Sequence, residues 1–83
     1  MTFHVYVLHS RLSNKIYIGY TNDLDSRLLS HNQLATKGWT IKFRPWILVH
    51  HESFELKREA IAREKQLKSA KGREWIRKNI LKQ

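Results

Sequence analysis

Two alternating segments joined by a short turn constrain the fold of this chain more than any other feature. In Phe3 to His9 the apolar residues Val5 and Val7 alternate with their neighbours, and in Lys15 to Tyr20 Ile16 and Ile18 do the same. Arg11-Leu12-Ser13-Asn14 lies between them. Period-two patterning on both sides of a turn predicts a β-hairpin. Val5 and Val7 share a face with Ile16 and Ile18 only if partner positions sum to an odd number. The register that pairs Val5 with Ile18 and Val7 with Ile16 satisfies this. It also places Tyr6 directly opposite Tyr17 on the reverse face.

Leu24 and Leu28 fall at helical spacing from Asp23 to about Leu34, behind Thr21 or Asn22 as N-cap and with Asp23 and Asp25 favouring the positive helix start. Residues 35 to 45 contain Gly38 and Pro45 and read as a loop. A strand is expected at Pro45 to His51, where Trp46, Ile47, Leu48 and Val49 suit a sheet. Ser53 is expected to cap a second helix that runs to about Lys68. After a pause at Gly72, a third helix from Arg73 to about Leu81 carries Trp75, Ile76 and Ile80 as its apolar stripe. Trp46 and Trp75 are expected in the core. The order is ββαβαα, and without a linker or repeat it reads as a single domain over residues 1–83.

Charge narrows the choice of partner. Sixteen Lys and Arg against seven Asp and Glu give a net charge of +9. Residues 1 to 41 hold four basic and two acidic side chains, and residues 42 to 83 hold twelve and five, so the halves carry +2 and +7. Such a surface attracts polyanions, although a solvated basic face has the same composition. No apolar run approaches the ~20 residues of a membrane span, and no basic-then-apolar leader opens the chain. The absence of cysteine excludes disulfides and thiolate metal sites. A cytoplasmic protein with no membrane partner is the expectation.

Several polar residues stand where apolar ones would fit. Leu24, Arg27, Leu28 and His31 lie at i, i+3, i+4 and i+7, which puts a guanidinium and an imidazole on an inward-facing stripe. Arg27 can instead reach past the core to water, and His31 can close the helix end. Glu64 shares a face with Ala60, Ile61 and Leu67. Burying that carboxylate unpaired costs several kcal/mol, so it needs a cationic side chain such as Arg27, a metal ion, or a route to solvent. Read alone, the tyrosine pair is an ordinary cross-strand contact.

Taken together, these residues resemble the GIY-YIG nuclease family, in particular its small stand-alone bacterial members. The likeness rests on Tyr6 in His4-Val5-Tyr6-Val7-Leu8, on Tyr17-Ile18-Gly19 eleven residues further on, and on Asn22-Asp23-Leu24-x-x-Arg27-Leu28-x-x-His31-Asn32. Arg44-Pro45-Trp46-x-Leu48-Val49, Phe54 and Ala60-x-x-x-Glu64-Lys65-x-x-Lys68 extend it across nearly the whole chain. The first signature departs from the family pattern, with His4-Val5-Tyr6 in place of Gly-Ile-Tyr.

The resemblance implies an α+β fold, a small three-stranded antiparallel sheet flanked by helices. It also implies hydrolysis of nucleic-acid phosphodiesters, most simply of DNA in repair, recombination or the processing of unusual structures. One divalent cation, Mg²⁺ or else Mn²⁺, would be held by Glu64 as sole protein ligand, in keeping with the preference of Mg²⁺ for retained water. Arg27 would contact the non-bridging phosphate oxygens through its planar fork. Tyr17 would accept the proton of the attacking water and Tyr6 would orient it. A free phenol titrates near pH 10, so a metal ion, Arg27 or a hydrogen bond to His31 would have to favour phenolate. Gly19 would allow close backbone approach, and Asn79 is a candidate for the distal asparagine of many members.

Lys37, Trp39, Lys42 and Arg44 interleave a ring with positive charge, as a strand-tracking surface does, although Trp39 can equally cover core. A non-catalytic nucleic-acid-binding module on the same fold is the main alternative, and a structural or partner-binding protein is a third reading. Glu64 argues against a pure binder, because a carboxylate in a basic cleft repels phosphate. Substrate choice is expected to come from a partner protein or self-association.

Overall fold

The computed structural model describes residues 1–83 and follows the order ββαβαα. Strands β1 (Phe3–Ser10) and β2 (Lys15–Thr21) form the hairpin, and β3 (Ile47–Phe54) joins the other side of β1. The antiparallel sheet therefore has the order β2-β1-β3, with the tyrosine-bearing β1 at its centre. Helix α1 (Leu24–Leu29) runs on into a π-helical turn at Ser30–Leu34, and a 3₁₀ turn follows at Trp39–Phe43. Helices α2 (Lys57–Lys68) and α3 (Ala70–Trp75) complete the chain, α3 continuing as a π-helical turn at Ile76–Ile80. No helix is long and apolar enough to cross a membrane.

The hairpin register is displaced by two residues from the expected one. Tyr6 faces Gly19, Leu8 faces Tyr17 and Val7 faces Ile18. The expected pairing would leave only Arg11 and Leu12 outside the ladder, whereas Ser10 pairs with Lys15 and four residues turn the chain. Asn14 closes that turn at φ 51°, a left-handed conformation that asparagine tolerates. Because a two-residue shift preserves parity, both expected faces survive.

Those faces carry separate cores. Val5, Val7, Ile16 and Ile18 pack against Ala60, Leu67 and Ile76 beneath α2 and α3. On the reverse face, Tyr6, Leu8 and Trp46 form a second cluster with Tyr17, Leu24, Leu28, Phe43 and Leu48. Each fully buried aliphatic or aromatic side chain contributes about 1.5–3 kcal/mol by leaving water. Tyr6, Tyr17 and His31 lie on the second face, between the sheet and the π-helical turn after α1, whereas Glu64 comes from α2 on the first.

Several boundaries differ from expectation. Asp23, rather than Thr21 or Asn22, caps α1, its Oδ1 accepting from the Ser26 N–H at 3.1 Å. β3 starts after Pro45, which has no N–H for the ladder, and extends beyond His51 to Phe54, with a bulge that sets Val49 outside the pairing. Ser53 consequently lies in β3 with its Oγ 3.0 Å from His4 Nδ1, and Leu56 occupies the α2 cap position without a side-chain bond. The break between α2 and α3 falls at Ser69, whose Oγ accepts from the Gly72 N–H. Gly72 is there for contact: a Cβ would collide with the Gln66 carbonyl and come 2.6 Å from Leu67 Cα. Trp75 leaves the expected core, being 39% exposed beside His50 and Arg63.

Candidate active site

The sheet places Tyr6 and Tyr17 on one face with ring centroids 6.2 Å apart. They are diagonal rather than opposed, and Gly19 occupies the position facing Tyr6. A Cβ at Gly19 would lie 2.6 Å from the Tyr6 hydroxyl and 3.2 Å from Tyr17 Cε1. The space over Gly19 is thus filled by the Tyr6 phenol, which takes the room expected for a nucleic-acid backbone. The π-helical turn brings in His31, whose ring lies 4.7 Å from that of Tyr17 and whose Nε2 is 3.1 Å from the Tyr6 hydroxyl. His31 Nδ1 lies 3.2 Å from Thr40 Oγ1, and the Trp46 indole N–H donates to the Thr40 carbonyl at 2.7 Å.

Electrostatics assign the protons along this chain. Burial, then the neighbouring Tyr17, push the Tyr6 phenol above the ordinary phenol range; Arg27 opposes the shift and Glu64 adds to it. Tyr6 therefore keeps its proton at neutral pH. Burial, then the guanidinium groups of Arg27 and Arg44, hold His31 below its ordinary value. A neutral imidazole accepts the Tyr6 proton at Nε2 and donates from Nδ1 to Thr40 Oγ1. The expected bond from His31 to a tyrosine is thus made to Tyr6, and it favours phenol rather than phenolate.

Arg27 and Glu64 both act on the Tyr6 phenol, so both charges lie within electrostatic reach of it. Arg27 is exposed and makes no salt bridge, so it does not neutralise Glu64. The Glu64 side chain is only 17% exposed, and its close ionic partner is Lys68 Nζ at 3.6 Å. It accepts no hydrogen bond from the protein, since Lys68 lies beyond hydrogen-bonding distance. No three His, Asp, Glu or Cys side chains cluster as a ligand cage anywhere in the chain. A lone carboxylate with acceptor capacity to spare fits a cation that keeps most of its waters.

The residues expected to contact nucleic acid divide. Trp39 is 48% exposed and rests on Trp46 and Phe43, with ring centroids at 5.7 and 4.7 Å. Lys37 and Lys42 are exposed beside it in sequence. Arg44 is otherwise employed: Nη2 donates to the carbonyls of Ser30 and Ala35 at 3.2 and 2.8 Å, and Nε donates to that of His31. It ties down the π-helical turn that follows α1, at a helix end where carbonyls run short of partners. Asn79 is not brought to the site; its amide donates to the Trp75 carbonyl one turn back in α3.

Sequence patterning missed Thr40 and the role of Asn32. Asn32 clamps the start of β3, donating to the Trp46 carbonyl at 2.9 Å and accepting from its N–H at 2.6 Å. A polar residue one position after His31 is a weak signal for this, and Thr40 sits in a loop where no periodicity exists to mark it.

Comparison with known proteins gives the site its family. A model of the GIY-YIG catalytic domain matches residues 2–79. A UPF0213 protein of Bacillus velezensis is 47% identical over 66 residues, 76% of this chain and 67% of that one. Another from Halobacterium salinarum is 38% identical over 65 residues, covering 78% and 83%. The solution NMR structure of a UPF0213 protein from Bacillus halodurans superposes with a TM-score of 0.56 at 30% identity, over 92% of this chain and 82% of that one. Motif, fold and family match agree, and the chain belongs to the GIY-YIG nuclease family.

Proposed function

We propose that this chain is a divalent-metal-dependent endonuclease that hydrolyses DNA phosphodiester bonds, acting on branched, damaged or otherwise unusual structures such as repair and recombination produce. The observation that carries the reading is the Tyr6 phenol held 3.1 Å from His31 Nε2 beside the Tyr17 ring, with the charges of Arg27 and Glu64 within electrostatic reach of it.

Arg27, with its guanidinium free, holds the non-bridging oxygens on which negative charge builds. Tyr17 positions the attacking water and takes its proton. Tyr6, whose own proton is committed to His31, orients rather than accepts. His31 and Thr40 hold that phenol in place. Glu64 would hold Mg²⁺ or Mn²⁺, and the chemistry such an ion supplies when bound is polarisation of the phosphate and stabilisation of the departing oxygen. Exposed Lys37, Lys42 and Trp39 support the strand alongside. A partner protein or self-association supplies targeting.

The test is a cleavage screen over plasmid, branched, single-stranded and RNA substrates with Mg²⁺ or Mn²⁺, comparing wild type with Glu64→Ala and Arg27→Ala. Metal-dependent cutting abolished in both variants is expected. Activity unchanged in both overturns the site, and binding without cutting on every substrate supports the non-catalytic reading.

A further inference from the structure

Beside Tyr17, a hollow of about 390 Å³ is lined by Ile16, Tyr17, Ile18, Trp39, Lys68 and Arg73. Trp39 belongs to the turn on the tyrosine face, whereas Lys68 and Arg73 come from the helices on the opposite face. The hollow therefore passes over the free edge of β2, with an aromatic side and a cationic side. Its size is within the ~300–1,000 Å³ range of small-ligand sites.

The cationic side is preorganised. Arg73 Nε donates to the Lys68 carbonyl at 3.1 Å, and neither Nη atom has a protein partner, so the outer edge of the guanidinium is available to an anion. Close packing at Gly72 sets the α2–α3 junction that brings Arg73 to Lys68. Tyr17 lines the hollow and Lys68 lies 3.6 Å from Glu64 Oε1, so the hollow borders the site. On the opposite side, Trp39 is braced by Trp46 and Phe43 while half its surface stays exposed.

We infer that this groove takes one unpaired nucleotide of the strand being cut, next to the scissile phosphate. This deepens the nuclease reading and rests on it. The base stacks on Trp39 and its phosphate lies between Lys68 and Arg73. An aromatic face recruits a base only when that base is free of its duplex neighbours, so the preferred DNA carries a flap, gap or overhang at the cut. No contact reads base identity, and the preference is for structure rather than sequence.

The test measures binding in EDTA, where no cleavage occurs, by fluorescence anisotropy of a blunt DNA hairpin and the same hairpin with a short overhang. Thermal melts of every variant accompany it. Wild type is expected to favour the overhang by about tenfold, Trp39→Ala to lose that preference, and Trp39→Phe to retain most of it. Arg73→Gln, at an exposed position, should weaken overhang binding and lower the salt slope by about one. Equal wild-type affinity for the two hairpins overturns the inference, as does a preference that survives in both Trp39→Ala and Arg73→Gln with native melts. Because neither metal nor cutting enters the measurement, failure of the nuclease reading shows separately, as Glu64→Gln cleaving like wild type.

Discussion

The Tyr6 hydroxyl and His31 Nε2 lie 3.1 Å apart, both residues buried, joining the central strand to the π-helical turn after α1. The bond needs a protonated phenol and a neutral imidazole. Both pKa shifts run in the direction that maintains it.

Stability should fall with acid in a defined window. The His31 pKa is below its ordinary 6.5 in the folded chain, so between the two values the unfolded chain binds more protons. The contribution is complete above about pH 6.5 and is lost as pH falls towards the folded value. Glu52, lowered first by its bonds from Arg63, acts only below its ordinary 4.5. Melting temperature measured from pH 7.5 to 5 should therefore decline in wild type and flatten in His31→Gln. Parallel profiles for the two proteins contradict the assignment.

Gly19→Ala should injure activity more than folding. The added methyl meets the Tyr6 hydroxyl and Cζ at 2.6 and 2.8 Å, so the ring must move off its bond to His31. A destabilisation of about 1–3 kcal/mol, typical of overpacking, is expected. Cleavage at a temperature where the variant remains folded should drop to the level of Tyr6→Phe. Wild-type rates would show that the position of Tyr6 does not matter.

Thr40→Val keeps the shape of the side chain but strands the His31 Nδ1–H in a buried setting, which costs about 1–3 kcal/mol. Thr40→Ser retains the hydroxyl. Chemical denaturation should show the loss in the first variant and its recovery in the second, and equal stability of all three proteins would remove Thr40 from the chain.

Two arginines should behave in opposite ways. Arg27→Lys is expected to leave the melting temperature unchanged and to impair cleavage, because an ammonium cannot form a planar fork. Arg44→Ala removes three bonds to carbonyls of the π-helical turn and Ala35, leaving Ser30 its bond from the Ala35 N–H, and should cost about 2 kcal/mol. Its affinity for DNA should keep the wild-type salt slope. A slope lower by about one would instead make Arg44 a phosphate contact.

The parts of this fold legible in sequence are those governed by period. Parity put Tyr6 and Tyr17 on one face, and helical spacing brought His31 inward beside Leu24 and Leu28. Register was not legible, because it depends on Asn14 turning left-handed. Arg44 looked like a strand contact because charge in a loop carries no sign of what it bonds. Thr40 is placed by bonds made across a loop to His31 and Trp46, and Arg73 by its bond across the helix break to the Lys68 carbonyl. Trp75 sits about 100° round α3 from Ile76, so the packing that buries Ile76 leaves Trp75 at the rim.

Single-turnover cleavage by Glu64→Gln, with DNA affinity measured in parallel, shows whether the Glu64 carboxylate drives the cutting step. The amide keeps the size of the side chain and removes the charge that would hold a divalent ion. Loss of rate on the order of a hundredfold or more, with affinity retained, is the predicted result. A variant that cleaves at the wild-type rate contradicts the account.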